Sequence, residues 1–430
     1  MNINLSKIRI MNMSRFIAFA FIAAAFAACT SATKTDNANP DKTYMTSADS
    51  IATDTTVAEP ELTVAELNID DFEMDYFKEI AKTADNKNFS TSPVSVTFSL
   101  SMIANFCDTP LQKQIFKVMK SESLTRLNNR ILRDINRLTN SSEDTKMLIG
   151  NSLWLTNTQP INLGSRRDSL QKYFKATVAE VDFSNPQTIE RIISWGHQAS
   201  DGNITPNIPH FSQDCGSIAV SLLYYIGSWI SPFDKNATKK QIFHKADGDT
   251  LVDMMHKEFS TRYYSTKDFK SVTMSLKGDN SLLLILPKKG LTPTDVLANF
   301  DSSSLKRIIN NSQNTDIILS LPRFEISTIQ SIKQPLSDMG INIHPSQFKC
   351  LGSRDLETSI EQITKFKLDE EGVQAKAETH VISVILCADD DKYEDTHQPI
   401  VVKFNRPFIY MLKNNKTKSI IMAGIYAESE

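Results

Sequence analysis

The sequence predicts a large α+β domain carried behind a short export signal and a polar tether. Three observations point there. Helix-spaced apolar positions gather early in the chain, short apolar runs bounded by turn residues gather late, and no fixed period suggests repeats. The chain has 430 residues, 40% of them apolar, enough to fill a sizeable core. Its 47 basic and 50 acidic residues leave a net charge of −3, so nothing global suggests nucleic acid as a partner.

Glycine is scarce, 13 in 430, against a usual ~7%. No GxxxxGK motif, GxGxxG or GxSxG occurs, and neither HExxH nor CxxC is present. The seven histidines are scattered. No cofactor or metal is implied, and the chain does not read as an enzyme.

Taken in order, Lys7, Arg9 and Arg15 precede a 13-residue apolar run from Phe16 to Ala28. That run is too short to span a bilayer but suits the core of a secretory signal. It ends Phe26-Ala27-Ala28-Cys29, and small residues before a cysteine resemble the lipobox of bacterial lipoproteins, with Phe26 in place of the usual Leu. Residues 1–28 therefore read as a lipoprotein signal and Cys29 as the acylated N-terminus. The protein is expected in the bacterial cell envelope, lipid-anchored on the periplasmic face or the cell surface. Residues 29–67, rich in Asp and Thr, lack the apolar side chains a fold needs and read as a flexible tether. Cys107, Cys215, Cys350 and Cys387 remain; they allow three pairings, none with a framework spacing, and are expected mostly as buried or free thiols.

Residues 68–430 carry the globular pattern. Ile69, Phe72, Tyr76 and Ile80 recur at helical spacing. Ser92-Pro93-Val94-Ser95 is a helix start, with serine at the cap and proline in the first turn, and that helix should run to about Asn105. Another is expected over Ser123–Leu138. Ser281–Pro287 and Thr315–Leu321 read as strands, and the C-terminus as strand Ile400–Leu412, turn, strand Ser419–Tyr426.

These residues bring a family into view. Asn88-Phe89-Ser90-Thr91-Ser92-Pro93-Val94-Ser95 resembles the NxxxSPxS signature of serpins, and five further stretches follow in the family's order. They are Asn151–Trp154, Trp195 with Ser200–Ile204, Gly227-Ser228-Trp229 with Pro232-Phe233, Leu321–Phe324, and Phe404–Phe408. The resemblance implies a serpin fold of about nine helices and three β-sheets, with an exposed reactive loop over about residues 370–399. It also implies a shutter under the central sheet, where Ser92 and Ser95 match the family's serines. The family's Asn and His are replaced there by Ser221 and Gln362, two groups able to hydrogen-bond each other.

The loop hinge, Glu370-Glu371-Gly372, opens an alternation legible without the family. Val373, Ala375, Ala377, Thr379, Val381 and Ser383 are small or uncharged, while Gln374, Lys376, Glu378 and His380 suit water. Side chains alternate faces along a strand, so this segment is written as a strand with one buried face. The resemblance implies that a protease cuts the loop and that the loop then inserts into the central sheet, trapping the acyl-enzyme. Counting from Gly372 gives the bond Leu386–Cys387, and the apolar approach Val381–Leu386 suits chymotrypsin-, elastase- or subtilisin-like enzymes. The expected partners are serine proteases, and cysteine proteases by the same logic; the protein is expected as a monomer. Two alternatives stay open: a non-inhibitory serpin, and a lipid-anchored binding protein.

Asp389, Asp390, Asp391, Glu394 and Asp395 lack the spacing and turn glycine of an EF-hand and read as a solvated extension of the loop. On the helix over Ser123–Leu138, Arg126, Arg130, Arg133 and Arg137 share one face opposite Leu127, Ile131 and Ile135. This helix resembles by its order the one that binds heparin-like polyanions in some serpins. A merely solvated basic face is the competing reading.

Overall fold

The computed structural model describes residues 69–139, 144–158, 161–206, 217–351, 361–375 and 398–427. Helix α1 (Ile69–Thr83) buries Phe72, Tyr76 and Ile80, as their spacing requires. After β1 (Phe89–Thr91) come α2 (Pro93–Ile103), α3 (Thr109–Val118) and α4 (Leu124–Leu138). The middle of the chain holds β2 (Thr145–Thr156), α5 (Ser165–Phe174), β3 (Thr177–Val181), α6 (Gln187–Ala199) and β4 (Ser217–Ser228). Then follow β5 (Lys239–Lys245), β6 (Gly248–Ser265), β7 (Phe269–Ser275), β8 (Asn280–Pro287), α7 (Pro293–Ala298) and α8 (Ser302–Asn311). The last elements are β9 (Gln313–Pro322), β10 (Phe324–Ser331), α9 (Lys333–Asp338), β11 (Glu361–Leu368), β12 (Gly372–Ala375), β13 (Ile400–Lys403), β14 (Phe408–Asn414) and β15 (Ile420–Tyr426).

Nine α-helices and 15 strands stand among the described residues. The expected drift from helices to strands holds only in part, since β2, β3 and β4 are interleaved with α5 and α6. The strands form a six-stranded sheet, ordered β10-β11-β12-β4-β2-β3, and a nine-stranded network. Two of the three expected sheets run together in that network because β6, 18 residues long, pairs with β5 and β9 along most of its length and with β7 at its end.

Between the sheets lies one large apolar core. Helix α2 threads it and is buried on nearly every side, so it is apolar around its circumference where a surface helix would be amphipathic. It packs against β4 on one side and β15 on the other. A smaller cluster, Trp154, Val181, Phe183 and Ile192, seats α6 on the outer face of the six-stranded sheet.

Three sequence expectations need correction. Ile400–Leu412 is not one strand: Asn405-Arg406-Pro407 breaks it, sending β13 to the rim beside β9 and β14 into the core between β8 and β15. Proline has no amide hydrogen for a ladder, which accounts for the break. Ser92 holds the cap position of α2, but its side chain does not cap; its hydroxyl donates to the carbonyl of Ile421 in β15. The helix also stops at Ile103 and not near Asn105.

Candidate functional site

At one end of the six-stranded sheet the chain turns out of β11 through Asp369-Glu370-Glu371 and enters β12. This turn is held from all sides. The Asp369 carboxylate accepts from the amides of Glu371 and Gly372 at 3.0 and 3.2 Å. Trp229, buried beneath, donates its indole N–H to the Asp369 carbonyl and its amide to the Glu371 carbonyl, each at 2.9 Å. The Glu370 side chain is 3% exposed and accepts from the Thr238 hydroxyl at 2.8 Å and from Arg323 at 3.4 Å. Arg323 also pairs with Asp253 at 2.8 Å, so a guanidinium bridges the hinge to β6. A buried carboxylate needs such partners, since desolvating it alone is costly.

Strand β12 lies between β11 and β4, antiparallel to both. Val373 stands opposite Leu368 and Gln374 opposite Lys367, while Gly372 to Ala375 pair with Ser228 to Tyr225. Val373 is fully buried, as the alternation requires of its parity. Gly372 must be glycine for a steric reason: a Cβ there would meet the Gly227 carbonyl oxygen at 2.2 Å and the Ser228 Cα at 2.9 Å. Beyond β12 the sheet is split among the described residues. Among the described residues no ladder joins β4 directly to β11, so two strands face each other with their edges unpaired.

Under this split sits the shutter region. Gln362 of β11 is spent on the start of α2: its Oε1 accepts from the Ser92 amide at 3.1 Å and from the Thr91 hydroxyl, and its Nε2 donates to the Ser92 carbonyl at 2.9 Å. The Tyr76 hydroxyl closes the cluster at 3.5 Å, and burial pushes that phenol's pKa up. Ser95 is buried one turn into α2. Ser221 and Gln362, though able to hydrogen-bond each other, do not, because Ser221 is on β4 and Gln362 on β11. The Ser221 hydroxyl oxygen is buried and has no hydrogen-bond partner among the described residues. Sequence reasoning missed Thr91, Tyr76, Thr238 and Arg323, whose roles come from strands distant along the chain.

Ala377, Thr379, Leu386, Cys387 and Cys29 lie outside the described residues, as does the side chain of Ala375. On α4 the four arginines share a face, but only Arg126 is fully exposed, and it is paired with Glu122 at 2.6 Å. Arg130, Arg133 and Arg137 are half-buried around Asp134, which is itself buried. Cys107 and Cys350 are free thiols. Among the described residues no group of three or more His, Cys, Asp or Glu could hold a metal ion.

The family model described as "Serpin (serine protease inhibitor)" matches residues 67–428. The chain belongs to the serpin family. A relative in Cyanea capillata, named serine protease inhibitor, is 26% identical over 371 residues, covering 82% of this serpin and 95% of that protein. Two solved structures share the fold. The thermophilic serpin tengpin in its native state aligns with a TM-score of 0.75 at 23% identity, covering 86% of this chain and 96% of tengpin. Native protease nexin-1, solved with heparin, aligns with a TM-score of 0.73 at 20% identity, covering 85% and 98%. Serpins are mostly protease inhibitors and not catalysts, and this one has relatives named for inhibition.

Proposed function

We propose that this serpin inhibits serine proteases of hydrophobic specificity by suicide cleavage of its loop at or within one residue of Leu386–Cys387. One observation carries the reading: β12 already occupies the head of a split whose two lips, β4 and β11, have unpaired edges among the described residues. Unpaired backbone groups are costly away from water, and a strand entering the split would pair both rows at once. The alternating segment Val373–Ser383 is suited to that slot, with small residues for the core face and charged ones for solvent. Before cleavage the loop cannot enter far, because its C-terminal end is tied to β13. After cleavage and acylation it inserts, and the attached protease is carried along before water can release it.

The test is a panel of chymotrypsin-, elastase-, subtilisin- and trypsin-like proteases with SDS-stable complexes as readout. Complexes with the first three and none with trypsin are expected. Ala377→Glu, which charges the core-facing parity, should convert inhibitor into substrate. Cleavage of wild type at this bond without any trapped protease overturns the proposal.

Anchoring through Cys29 in the bacterial cell envelope, behind a cleaved signal of residues 1–28 and a tether of residues 29–67, completes the reading. Cys29→Ser should release the protein from membranes. Arg126, Arg130, Arg133 and Arg137 form the surface offered to a sulfated polyanion, in keeping with the heparin seen with protease nexin-1. The half-burial of Arg130, Arg133 and Arg137 limits it to a weak, salt-sensitive contact. Retention on a heparin column at low salt, lost when all four become Ala, tests it.

A further inference from the structure

Two of the five cysteines are brought together where the end of α2 meets the chain between α9 and β11. Cys107 closes the turn after α2, its amide donating to the Ile103 carbonyl at 2.9 Å. Cys350 sits in a short 3-10 turn, Lys349–Leu351. The two stretches are zipped together around these residues. The Asp108 amide donates to the Gln347 carbonyl at 2.7 Å, and the Phe106 and Phe348 rings pack with centroids 5.8 Å apart. Lys349 pairs with Asp108 at 3.3 Å. The Cys350 thiol donates to the Phe106 carbonyl at 2.8 Å. That carbonyl belongs to the peptide group joining Phe106 to Cys107, so the Cys350 sulfur lies against the backbone of Cys107 itself. Both residues are free thiols.

The pair is asymmetric. Cys107 is 8% exposed, whereas Cys350 is half-buried. Burial holds both thiols protonated, Cys107 up to about 12, and the Asp108 carboxylate adds to the effect. Arg166, at the start of α5, works the other way on Cys350. Disulfide exchange is an attack by a thiolate that can reach the oxidant. Cys350 is therefore the entry point and Cys107 the resolving thiol.

We propose that Cys107 and Cys350 close into a disulfide when the protein meets a small-molecule disulfide or a thiol–disulfide oxidant. Cys350, as thiolate, attacks one sulfur of the oxidant RSSR, forming Cys350–S–SR and releasing RS⁻. Cys107 then loses its proton, and its sulfur attacks Cys350 Sγ and expels the second RS⁻. The protons of the two cysteines end on the two leaving thiolates, and two electrons pass to the oxidant. The products are one protein disulfide and two RSH. To react, the Cys350 side chain leaves the Phe106 carbonyl, exchanging a weak thiol hydrogen bond for a covalent bond. The bond closes residues 107–350 into one loop and ties the end of α2 to the segment leading to β11. The start of α2 is already tied to β11 through Gln362 and Ser92. Both ends of the helix are then fixed to the same lip of the sheet. A cross-link over so long a loop stabilises the fold chiefly by restricting the unfolded chain. Disulfides persist outside the cytoplasm, where the export proposed above would carry the protein. The bond would form whether or not a protease ever cuts the reactive loop.

The test takes full-length wild type, Cys350→Ala and Cys107→Ala, reduces each, and transfers it to a glutathione buffer rich in the oxidised form. Non-reducing peptide mapping and melting temperature are the readouts. Wild type should yield a Cys107–Cys350 cross-linked peptide, and its melting temperature should rise by about 5 °C and fall back on reduction. Cys350→Ala should show neither change. Cys107→Ala should stop at glutathione bound to Cys350 and gain no stability. Should Cys107→Ala fail to fold, Cys350→Ala at its half-exposed position still carries the comparison. Glutathione remaining on Cys350 of wild type without closure overturns the proposal, as does pairing of either cysteine with Cys215 or Cys387. A cross-link that leaves the melting temperature unchanged overturns the stabilising role assigned to the bond.

Discussion

Gly372 lies against the backbone of β4 so closely that a Cβ on it would stand 2.2 Å from the carbonyl oxygen of Gly227. The hinge glycine is therefore the condition for β12 to sit in the sheet at all. Its backbone angle is not what demands it, for Gly372 is not among the residues with positive φ.

Replacing Gly372 with Ala should expel β12. Holding it in place against a backbone clash would cost about 1–3 kcal/mol, and withdrawal of the four-residue strand from the sheet relieves the clash. Hydrogen exchange at the Val373 and Gln374 amides should accelerate, while amides of β14 and β15 in the core stay protected. Unchanged protection at Val373 would show that the sheet accommodates the methyl group.

Gln362→Ala should destabilise the uncleaved protein. The substitution leaves the Ser92 amide and carbonyl and the Thr91 hydroxyl short of a partner beneath the sheet. The expected loss is about 2–4 kcal/mol, read from guanidinium unfolding. Gln362→His, which keeps a donor and an acceptor, should recover part of it.

Asp134 gives a pH signature. Burial pushes its pKa from the ordinary 3.8 up to about 6, with Arg133, Arg130 and Arg137 opposing the rise. A carboxyl with a raised folded pKa binds its proton more tightly folded than unfolded. Its stability penalty is therefore full above about pH 6 and is relieved as pH falls from there toward 3.8. Asp134→Asn should remove that relief and stabilise the protein at pH 8 by about 1–3 kcal/mol. A wild-type stability profile flat between pH 8 and 5, matched by the variant, would contradict this.

The described thiols should be slow to alkylate. Burial pushes Cys107 up to about 12, and Cys350, half-buried, has its thiol donating to the Phe106 carbonyl at 2.8 Å. Iodoacetamide at pH 8 with mass mapping should label Cys107 last, and both rapidly after denaturation.

How much of this was legible beforehand depends on whether a feature is local or long-range. The helix starts at Ser92-Pro93 and Ser123, the buried positions of α1 and the alternation through the hinge are set by neighbours within a few residues, so the sequence by itself determined them. It also carried the six family stretches, hence the fold. What Gln362 binds and why Gly372 is glycine depend on strands brought alongside from far along the chain. Ser92 and Gln362 are 270 residues apart. Period-two alternation says which face a residue takes but not which neighbour it meets, because register is a property of the pair of strands. Only the tertiary structure, by lodging β12 between β4 and β11, decided the register of Gly372 to Ala375.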